Sequence, residues 1–331
     1  MAARMAGRVL GTRFKKLTAR EIRFESNHLL VVDKPAGVLS QSEAKVDLSR
    51  NEEGKEGDQG KQSESRKPKV SDLCTVSKEY IKNTKHKPGN VYLGLCNRLD
   101  IAASGLNVFA KTSKMAAKMQ KLFAERKVQK EYLVVVQGYI GKRVGTIKGG
   151  ETSYSKFWAK RQSPSRGLMT PSKDKPDGDL HWAVVTYPME IANGGAQMNT
   201  VLAVKITTGR RHQIRRQLAS IGHPIIGDKL YGSLTQANAP YDSTGVGGIL
   251  LHAHRLKFKN PIRTDPQDIK PGEKHTKRVI DVTAPMPDFW RNTVPGLVLP
   301  DTRELGPTQS YFDYAVKCAV ESVDEEEYEL D

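Results

Sequence analysis

The sequence predicts an α+β protein built on a mixed or mostly antiparallel β-sheet with flanking helices. Runs of residues typical of strands outnumber segments of helical periodicity, and the two kinds of segment do not alternate regularly along the chain. This order disfavours a doubly wound fold, in which strands and helices alternate. With 331 residues, 37% of them hydrophobic, the chain is long enough to bury a substantial core.

Several segments rich in β-branched and aromatic residues are predicted to be strands. The first covers residues 24–32 and is followed by a turn at 33–37, and the second is an apolar run at 132–136. Two more, at 183–187 and 201–206, are separated by the Gly-containing residues 193–195, which favours a hairpin. Residues 141–180 are expected to form a loop-rich connection.

Three segments have helical signals. Ser71 is a plausible N-cap for a helix to about residue 85, where Pro88 and Gly89 stop it. Residues 113–126 place apolar side chains at helical spacing, which indicates one face on the core. A third helix is expected at about 211–221, closed by Gly222 and Pro224.

Composition divides the chain into a central domain and two charged ends. Residues 42–69 hold balanced charge and no aromatic residue, so they predict a disordered polar insertion within a domain at 21–295. Residues 1–20 contain six bases and no acid, which is typical of a mitochondrial transit peptide or of a basic RNA-contacting arm. Residues 296–331 form an extension whose last eleven residues hold seven acids and no base. The predicted location is mitochondrial, with cytoplasmic or nuclear as the alternative.

The net charge of +16 is suited to binding a polyanion, because lysine and arginine displace condensed counterions from phosphates. A merely soluble basic surface is the alternative. Three cysteines fit neither a disulfide framework nor a CxxC metal site, and no metal is expected. No apolar run approaches the roughly 20 residues that would span a bilayer.

Three blocks of sequence carry most of the information about function. They read NRLDIAASGL at 97–106, KEY at 130–132 and TGRRHQIR at 208–215, the last continuing as GHPIIGDKLYG at 222–232. In order and spacing they resemble the motifs of the RluA-type pseudouridine synthases, approximately HRLDxxTSG, KxY, TGRxHQIR and GHPIxGDxxYG. The resemblance covers about residues 24–290, apart from the polar insertion. The residues ahead of the first strand are too few for the S4-like domain that some relatives carry.

The resemblance implies an enzyme that isomerises uridine to pseudouridine in structured RNA. Breaking the C1′–N1 bond develops positive character on the sugar, which a carboxylate can stabilise or trap. The family's aspartate has this role, which implies Asp100; capping a turn is its alternative role. Because the reaction involves no redox change, no cofactor is required.

A catalytic carboxylate must stay charged and oriented, and a bidentate arginine does both. Arg215 is the candidate for this partner, with Arg210 as the second choice. Since Arg211 and Arg215 would lie one turn apart on a helix, at least one arginine here is expected to contact phosphate; a solvated basic face is the alternative. The KxY resemblance implies that Tyr132 stacks on the uracil or acts on its C5 proton, although a strand tyrosine of this kind commonly packs in the core.

The remaining candidates are expected to bind the substrate RNA. Arg98 would help to displace the target base, because a stacked base must be extruded before its glycosidic bond is reachable. Lys130 would support a loop or a phosphate, and His212 and Gln213 would organise the site through hydrogen bonds. Leu251 belongs to a segment similar to the family's LHAxxL, and we place it among the substrate-binding residues.

Two residues depart from the family pattern. Asn97 stands where the family usually has His, and Ala103 where it usually has Thr, so two supporting hydrogen bonds are expected to be missing. Two functions therefore follow as hypotheses. The first is a pseudouridine synthase acting on organellar large-subunit rRNA. The second is a weak or inactive relative that binds RNA during ribosome assembly, with an assembly intermediate as its partner.

Overall fold

The computed structural model describes residues 16–42, 72–86, 88–149, 176–190, 198–232, 248–262, 279–294, 297–301, 303–305 and 310–326. The strands are β1 (Ile22–Glu25), β2 (Leu29–Lys34), β3 (Gly94–Leu95), β4 (Ser104–Ala110), β5 (Gln129–Gln137), β6 (Val144–Ile147), β7 (Leu180–Glu190), β8 (Met198–Ile206), β9 (Leu251–Lys259) and β10 (Val279–Thr283). The helices are α1 (Leu73–Thr84), α2 (Ser113–Ala124), α3 (Gln213–Ser220), α4 (Asp288–Thr293) and α5 (Tyr311–Glu326).

All ten strands belong to one mixed sheet, which confirms the predicted fold class. Its order is β1-β2-β4-β9-β5-β8-β7-β6, with β10 paired to β9 and β3 paired to β4. Every described pairing is antiparallel except that of β4 with β9, where Ser104 lies opposite His252 and Gly105 opposite Ala253. Gly105 has φ +110°, and a Cβ there would collide with the backbone of Ala253. Glycine therefore permits the close approach of the two strands that flank the candidate site.

Strand β5 is the centre of the molecule because its apolar side chains are buried on both faces. Val134 and Val136 pack into a cluster with Leu218 of α3. Leu133 and Val135 point the other way and join a cluster that contains Trp290 and residues of the C-terminal extension. Alternation of side chains along a strand produces this division, and burial on both faces explains the continuous apolar run.

The β-rich run that ends the segment 24–32 is confirmed as β2, but the residues before it belong to a separate strand, β1, which pairs with β2 as a hairpin. The hydroxyl of Ser26 accepts hydrogen bonds from the amides of His28 and Leu29, and the Ser26 amide donates to Leu29 O at 2.9 Å. This serine-centred turn lies between two apolar stretches and interrupts what reads as one strand. The loop-rich connection predicted at 141–180 also contains β6, and its residues 150–175 lie outside the described residues.

The helices predicted near 71–85 and 113–126 are confirmed with shifted ends. The side chain of Asp72, rather than Ser71, caps α1 by accepting from the Thr75 amide at 2.7 Å. The third helix starts later than predicted, at Gln213, because His212 has a left-handed backbone with φ 57°. Arg211 consequently precedes the helix, so the prediction that Arg211 and Arg215 lie one helical turn apart is wrong.

The C-terminal extension packs on the face of the sheet. Its helix α5 contacts β7 and β8, and the buried hydroxyl of Ser310 donates to Glu131 on β5 at 2.7 Å. Residues 1–15 of the basic N-terminal segment, 43–69 of the polar insertion and the last five residues of the acidic tail lie outside the described residues. Within the part of the chain that is described, no helix is long and apolar enough to cross a membrane.

Candidate active site

Asp100 lies in the turn that leads from β3 into β4, facing helix α3. Its carbonyl oxygen accepts from the Ala103 amide at 3.1 Å and closes the turn. Its carboxylate points elsewhere, because Oδ2 accepts a hydrogen bond of 2.9 Å from Nη1 of Arg215. The other oxygen, Oδ1, lies 3.6 Å from Nε2 of His212. The side chain therefore lines a cleft and binds an arginine, and it does not cap a helix.

Arg215 joins two carboxylates. While Nη1 binds Asp100, its Nε and Nη2 donate to the two oxygens of Asp228 at 2.7 and 2.8 Å. The Asp228 side chain is fully buried and also accepts from the amides of Leu230 and Tyr231. Although burial opposes its charge, the hydrogen bonds and negative charges of the two aspartates raise the pKa of Arg215 above its ordinary value. The guanidinium is thus a permanent cation with a fixed direction.

His212 is held between Asp100 and the ring of Tyr231. Its Nδ1 and the Tyr231 hydroxyl are 3.0 Å apart, and the two rings meet edge to face. Burial lowers the pKa of His212 from its ordinary value of 6.5 to about 4, and the charge of Asp100 opposes this shift. The imidazole is therefore neutral at physiological pH, so it organises the site by hydrogen bonding, as its position in the sequence predicts.

Tyr132 lies beside a β-bulge in the pairing of β5 with β9, which directs its side chain to the site. Glu131 lies opposite Arg255 and Tyr132 opposite Ala253, which leaves His254 as the extra residue of a bulge. Tyr132 lines a small inner cavity of about 70 Å³ together with Asp100 and Leu251. Burial, together with the nearby charge of Asp100, raises the pKa of Tyr132, so its phenol stays protonated.

The loop that precedes α3 is anchored from three sides. The side-chain oxygen of Gln213 accepts from the Thr208 hydroxyl at 2.7 Å and from the Arg210 amide at 3.2 Å. The ammonium of Lys130 donates to Thr208 O at 3.1 Å, and burial lowers the pKa of Lys130 to about 8. On the far side, Arg216 of α3 forms a buried ion pair with Asp177 at 2.8 Å. These contacts fix the backbone that presents the neighbouring arginines.

A larger cleft of about 570 Å³, called the outer cleft here, adjoins the inner cavity, because Asp100, His212 and Arg215 line both. Three exposed arginines, Arg98, Arg210 and Arg211, also line the outer cleft. None of the three guanidinium groups forms an ion pair with a carboxylate of the described residues. The cleft therefore offers an anion three cations that no described acid already holds.

The structure places all ten predicted site residues at the inner cavity, at the outer cleft or in contact with the loop that precedes α3. They are Arg98, Asp100, Lys130, Tyr132, Arg210, Arg211, His212, Gln213, Arg215 and Leu251. The two arginine candidates for the carboxylate partner separate clearly, since Arg215 binds Asp100 whereas the Arg210 side chain is exposed. No group of three or more His, Cys, Asp or Glu within the described ranges is placed to hold a metal ion.

Three supporting residues escaped the sequence analysis. Asp228 and Tyr231 belong to the GDKLYG segment, to which no role had been assigned. Lys34, in the DKPAG segment, is fully buried and donates to four carbonyls, including Ile101 O at 3.3 Å and Ala103 O at 2.6 Å. Burial lowers the pKa of Lys34 to about 7, and the charge of Asp100 opposes that shift. For Asp228 and Lys34 the available signal was a charged residue within an otherwise apolar or turn-forming segment; Tyr231 carried no such signal.

The expected loss of a hydrogen bond at Asn97 is wrong. Its Oδ1 accepts from the Val108 amide at 2.7 Å and its Nδ2 donates to Leu106 O at 3.1 Å. The carboxamide thus ties the segment before Asp100 to the backbone of β4. Ala103 is buried and has no side-chain hydrogen bond to give, but its carbonyl accepts from Lys34.

The family model for RNA pseudouridylate synthase matches residues 28–220. The chain is 27% identical over 244 residues to the tRNA pseudouridine synthase C of Yersinia pestis, covering 73% of this chain and 82% of that one. It is 23% identical over 290 residues to the ribosomal large subunit pseudouridine synthase C of Buchnera aphidicola, covering 88% and 74%. The human RNA pseudouridylate synthase domain containing 1 has a similar fold, with a TM-score of 0.53 at 19% identity over 89% of this chain and 97% of that one. The chain therefore belongs to the RNA pseudouridylate synthase family, whose members are isomerases.

Proposed function

We propose that this protein converts uridine to pseudouridine in structured RNA, with Asp100, Tyr132 and Arg215 as its catalytic residues. The observation that carries the proposal is the placement of a carboxylate, fixed by Arg215 at 2.9 Å, at the junction of an inner cavity and an arginine-lined cleft. An RNA strand in the outer cleft would present one extruded uridine to the inner cavity. The target is expected in a loop or bulge, where unstacking costs least.

The reaction suits this geometry because it requires charge stabilisation and containment. The C1′–N1 bond breaks and a C1′–C5 bond forms; C5 gives up a proton and N1 gains one, so no atom is lost. Asp100 stabilises or traps the positive character that develops at C1′. Arg215 fixes the orientation of the carboxylate. Since its phenol stays protonated, Tyr132 serves better as a stacking surface for the uracil than as a base.

The exposed arginines would hold the RNA backbone. Arg98, Arg210 and Arg211 line the cleft, and contacts of guanidinium groups with phosphate fix the position of an RNA without reading its sequence. Lys130 is committed to the Thr208 carbonyl, so it acts on RNA through the loop that carries Arg210.

Large-subunit rRNA of the mitochondrion is the substrate that we propose, with tRNA as the alternative. The acid-free, basic residues 1–20 support the location, and the relative named for the ribosomal large subunit matches 88% of this chain. The relatives named as tRNA pseudouridine synthase C support the alternative. Fusion of residues 1–20 to a fluorescent reporter tests the location, because a reporter that stays outside mitochondria would exclude it.

A second candidate is an RNA-binding factor of ribosome assembly that does not need the chemistry. Ala103 favours it, since the hydroxyl that relatives carry at this position is absent. The hydrogen bonds of Asn97 weaken it, because the turn before Asp100 stays anchored.

Carbodiimide-dependent primer extension on large-subunit rRNA and tRNA transcripts decides between these functions. Wild type should produce a stop at a specific uridine, and Asp100→Ala should produce none. The control is Asp288→Ala, whose fully exposed carboxylate is not part of the cleft lining and whose loss should leave the stop unchanged. Equal stops from wild type and Asp100→Ala would contradict the catalytic role. Ribosome assembly restored by Asp100→Ala in cells that lack the gene would favour the binding factor.

A further inference from the structure

Ile101, the residue after Asp100, exposes an apolar side chain inside the outer cleft. Half of its surface, 51%, is accessible, although it lines the cleft together with Arg98, Arg210 and Arg211. Single exposed apolar residues are common on protein surfaces. This one is unusual in its position, because it directly follows Asp100 in the chain and lines the same cleft as the cations expected to hold phosphates.

The backbone of Ile101 is fixed from the protein side. Its carbonyl oxygen accepts from the Gly37 amide at 2.7 Å and from the buried ammonium of Lys34 at 3.3 Å. The next residues are also held, since Ala102 O accepts from the Ile249 amide at 2.9 Å and Ala103 O accepts from Lys34 at 2.6 Å. The turn therefore presents a branched apolar group to the cleft on a rigid support.

A rigid apolar side chain flanked by cations matches the chemistry of an unstacked nucleic acid. The phosphates of a strand would meet the arginines, while the faces of its bases are apolar and lose their stacking partner when a neighbour is extruded. Proteins that open a base step commonly insert an apolar wedge at that point. A peptide ligand has no phosphates for the arginines and no unstacked base for the apolar side chain, so RNA fits this cleft better.

We propose that Ile101 is the apolar wedge that packs against the base next to the target uridine and fills the gap left by its extrusion. The inference rests on the proposed function and adds a contact to it. Arg98 then binds the RNA beside this gap, and the energy of covering Ile101 offsets part of the cost of unstacking. The wedge should matter only where the target base starts in a stack.

Activity on two RNAs tests the wedge. One is a hairpin transcript whose stacked uridine wild type converts, and the other is a flexible oligonucleotide with the same flanking sequence. For Ile101→Ala, kcat/KM should fall about tenfold on the hairpin, in proportion to the apolar surface no longer covered, and stay unchanged on the oligonucleotide. Ile221→Ala is the control, since Ile221 is exposed (39%) outside the cleft lining. Equal losses on both RNAs, or no loss on the hairpin, would overturn the proposal.

A binding measurement separates failure of the wedge from failure of the proposed function. The probe is an RNA hairpin that carries 2-aminopurine beside the uridine, because this base fluoresces more strongly when unstacked. At saturation, Asp100→Ala protein should change the emission of the probe, and Asp100→Ala with Ile101→Ala should change it less. An identical response of both proteins refutes the wedge even if wild type proves active. Absence of pseudouridine in every RNA refutes the proposed function, and the fluorescence difference then still decides the wedge.

Discussion

Arg215 holds Asp100 through a single nitrogen, Nη1 at 2.9 Å, because its Nε and Nη2 are committed to Asp228. The orientation of the Asp100 carboxylate therefore depends on Asp228, which lies 128 positions further along the chain and binds the same guanidinium. Only a planar guanidinium can serve two carboxylates in this way, since a lysine ammonium has no fixed fork of donors.

Arg215→Lys is expected to lower kcat by about 100-fold or more, the scale seen when a preorganised charge partner is lost from an active site. The ammonium keeps the charge but cannot bind both Asp100 and Asp228. Single-turnover pseudouridine formation measures this effect apart from product release. Arg303→Lys, at a surface pair with Asp301 where the Arg303 side chain is 90% exposed, is the control. A kcat close to that of wild type would show that another group orients Asp100.

Asp228→Asn is expected to lower the free energy of unfolding by about 3–5 kcal/mol, because removing one charge of a buried pair leaves the other uncompensated. The backbone amides of Leu230 and Tyr231 both bind Oδ1 of Asp228. If asparagine keeps its oxygen there, its NH2 group faces Nε of Arg215, where a donor meets a donor. Urea unfolding followed by circular dichroism gives the value. Glu321→Gln, in an exposed pair with Lys317, should change it by about 0–0.5 kcal/mol. Similar losses in the two variants would contradict the structural weight given to Asp228.

The pH dependence of stability should show that buried histidines are neutral. Burial lowers the pKa of His212 and His254 from 6.5 to about 4 and that of His252 to about 3. Between about pH 6.5 and 4 the unfolded chain binds more protons, so stability is full above pH 6.5 and falls by about 1.4 kcal/mol per pH unit for each such histidine as acid is added. Asp33 opposes this below about pH 6, because burial raises its pKa to about 6.

A variant isolates one histidine from that sum. His254→Gln should reduce the change of unfolding free energy with pH between pH 6.5 and about 4.5. The reduction should be at most the contribution of one proton, about 1.4 kcal/mol per pH unit, and urea titrations at several pH values measure it. His86→Gln, at an exposed site, should leave the slope unchanged. An unaltered slope in His254→Gln would mean that this ring is already protonated in the folded state.

Local sequence patterns predicted the fold class and named the residues that the structure brings together at the candidate site. The wrong predictions concern features that a local pattern does not report. The apolar run at 132–136 and the stripe at 113–126 report burial directly, so β5 and α2 were predictable. Asp100 and Arg215 stand in motifs that suggest a carboxylate acting on the sugar and an arginine that binds this carboxylate, so their contact was predictable. The late start of α3 depends on the left-handed backbone of His212, for which the sequence carries no glycine or asparagine signal.

The remaining features are side-chain contacts between segments that are distant in the sequence, so no local pattern predicts them. The bond of Asp228 with Arg215, that of Lys34 with the carbonyls near Asp100, and that of Glu131 with Ser310 join segments that only the folded sheet brings together. Glu131 read as part of a catalytic KEY triplet, yet its carboxylate accepts from the Ser310 hydroxyl and the Phe312 amide at the start of α5. The residue beside Tyr132 thereby fastens the C-terminal helix.

Ser310→Ala is expected to lower the free energy of unfolding by about 1–3 kcal/mol, because the hydroxyl donates to the buried Glu131 carboxylate and also accepts from the Asp313 amide in the first turn of α5. Ser77→Ala is a matched control: both serines are fully buried, but the Ser77 hydroxyl has no hydrogen-bond partner among the described residues. Its removal should be neutral or stabilising. Hydrogen exchange should show faster opening of α5 only in Ser310→Ala. Equal destabilisation of both variants would mean that packing, not the Glu131 bond, holds the helix.

Asn97 decides whether the departure from the family pattern costs activity. Asn97→Ala leaves the Val108 amide and the Leu106 carbonyl unpaired, so the free energy of unfolding should fall by about 1–3 kcal/mol and kcat should fall with it as the turn before Asp100 loosens. Asn97→His introduces the residue usual in the family and should retain most of the activity, because an imidazole offers one donor and one acceptor. Thermal unfolding and primer-extension rates on the same preparations separate the two effects. If Asn97→His were several times faster than wild type, the asparagine would be a specific attenuation of the enzyme; a rate near wild type would show that the carboxamide already performs the anchoring task through its two bonds to β4.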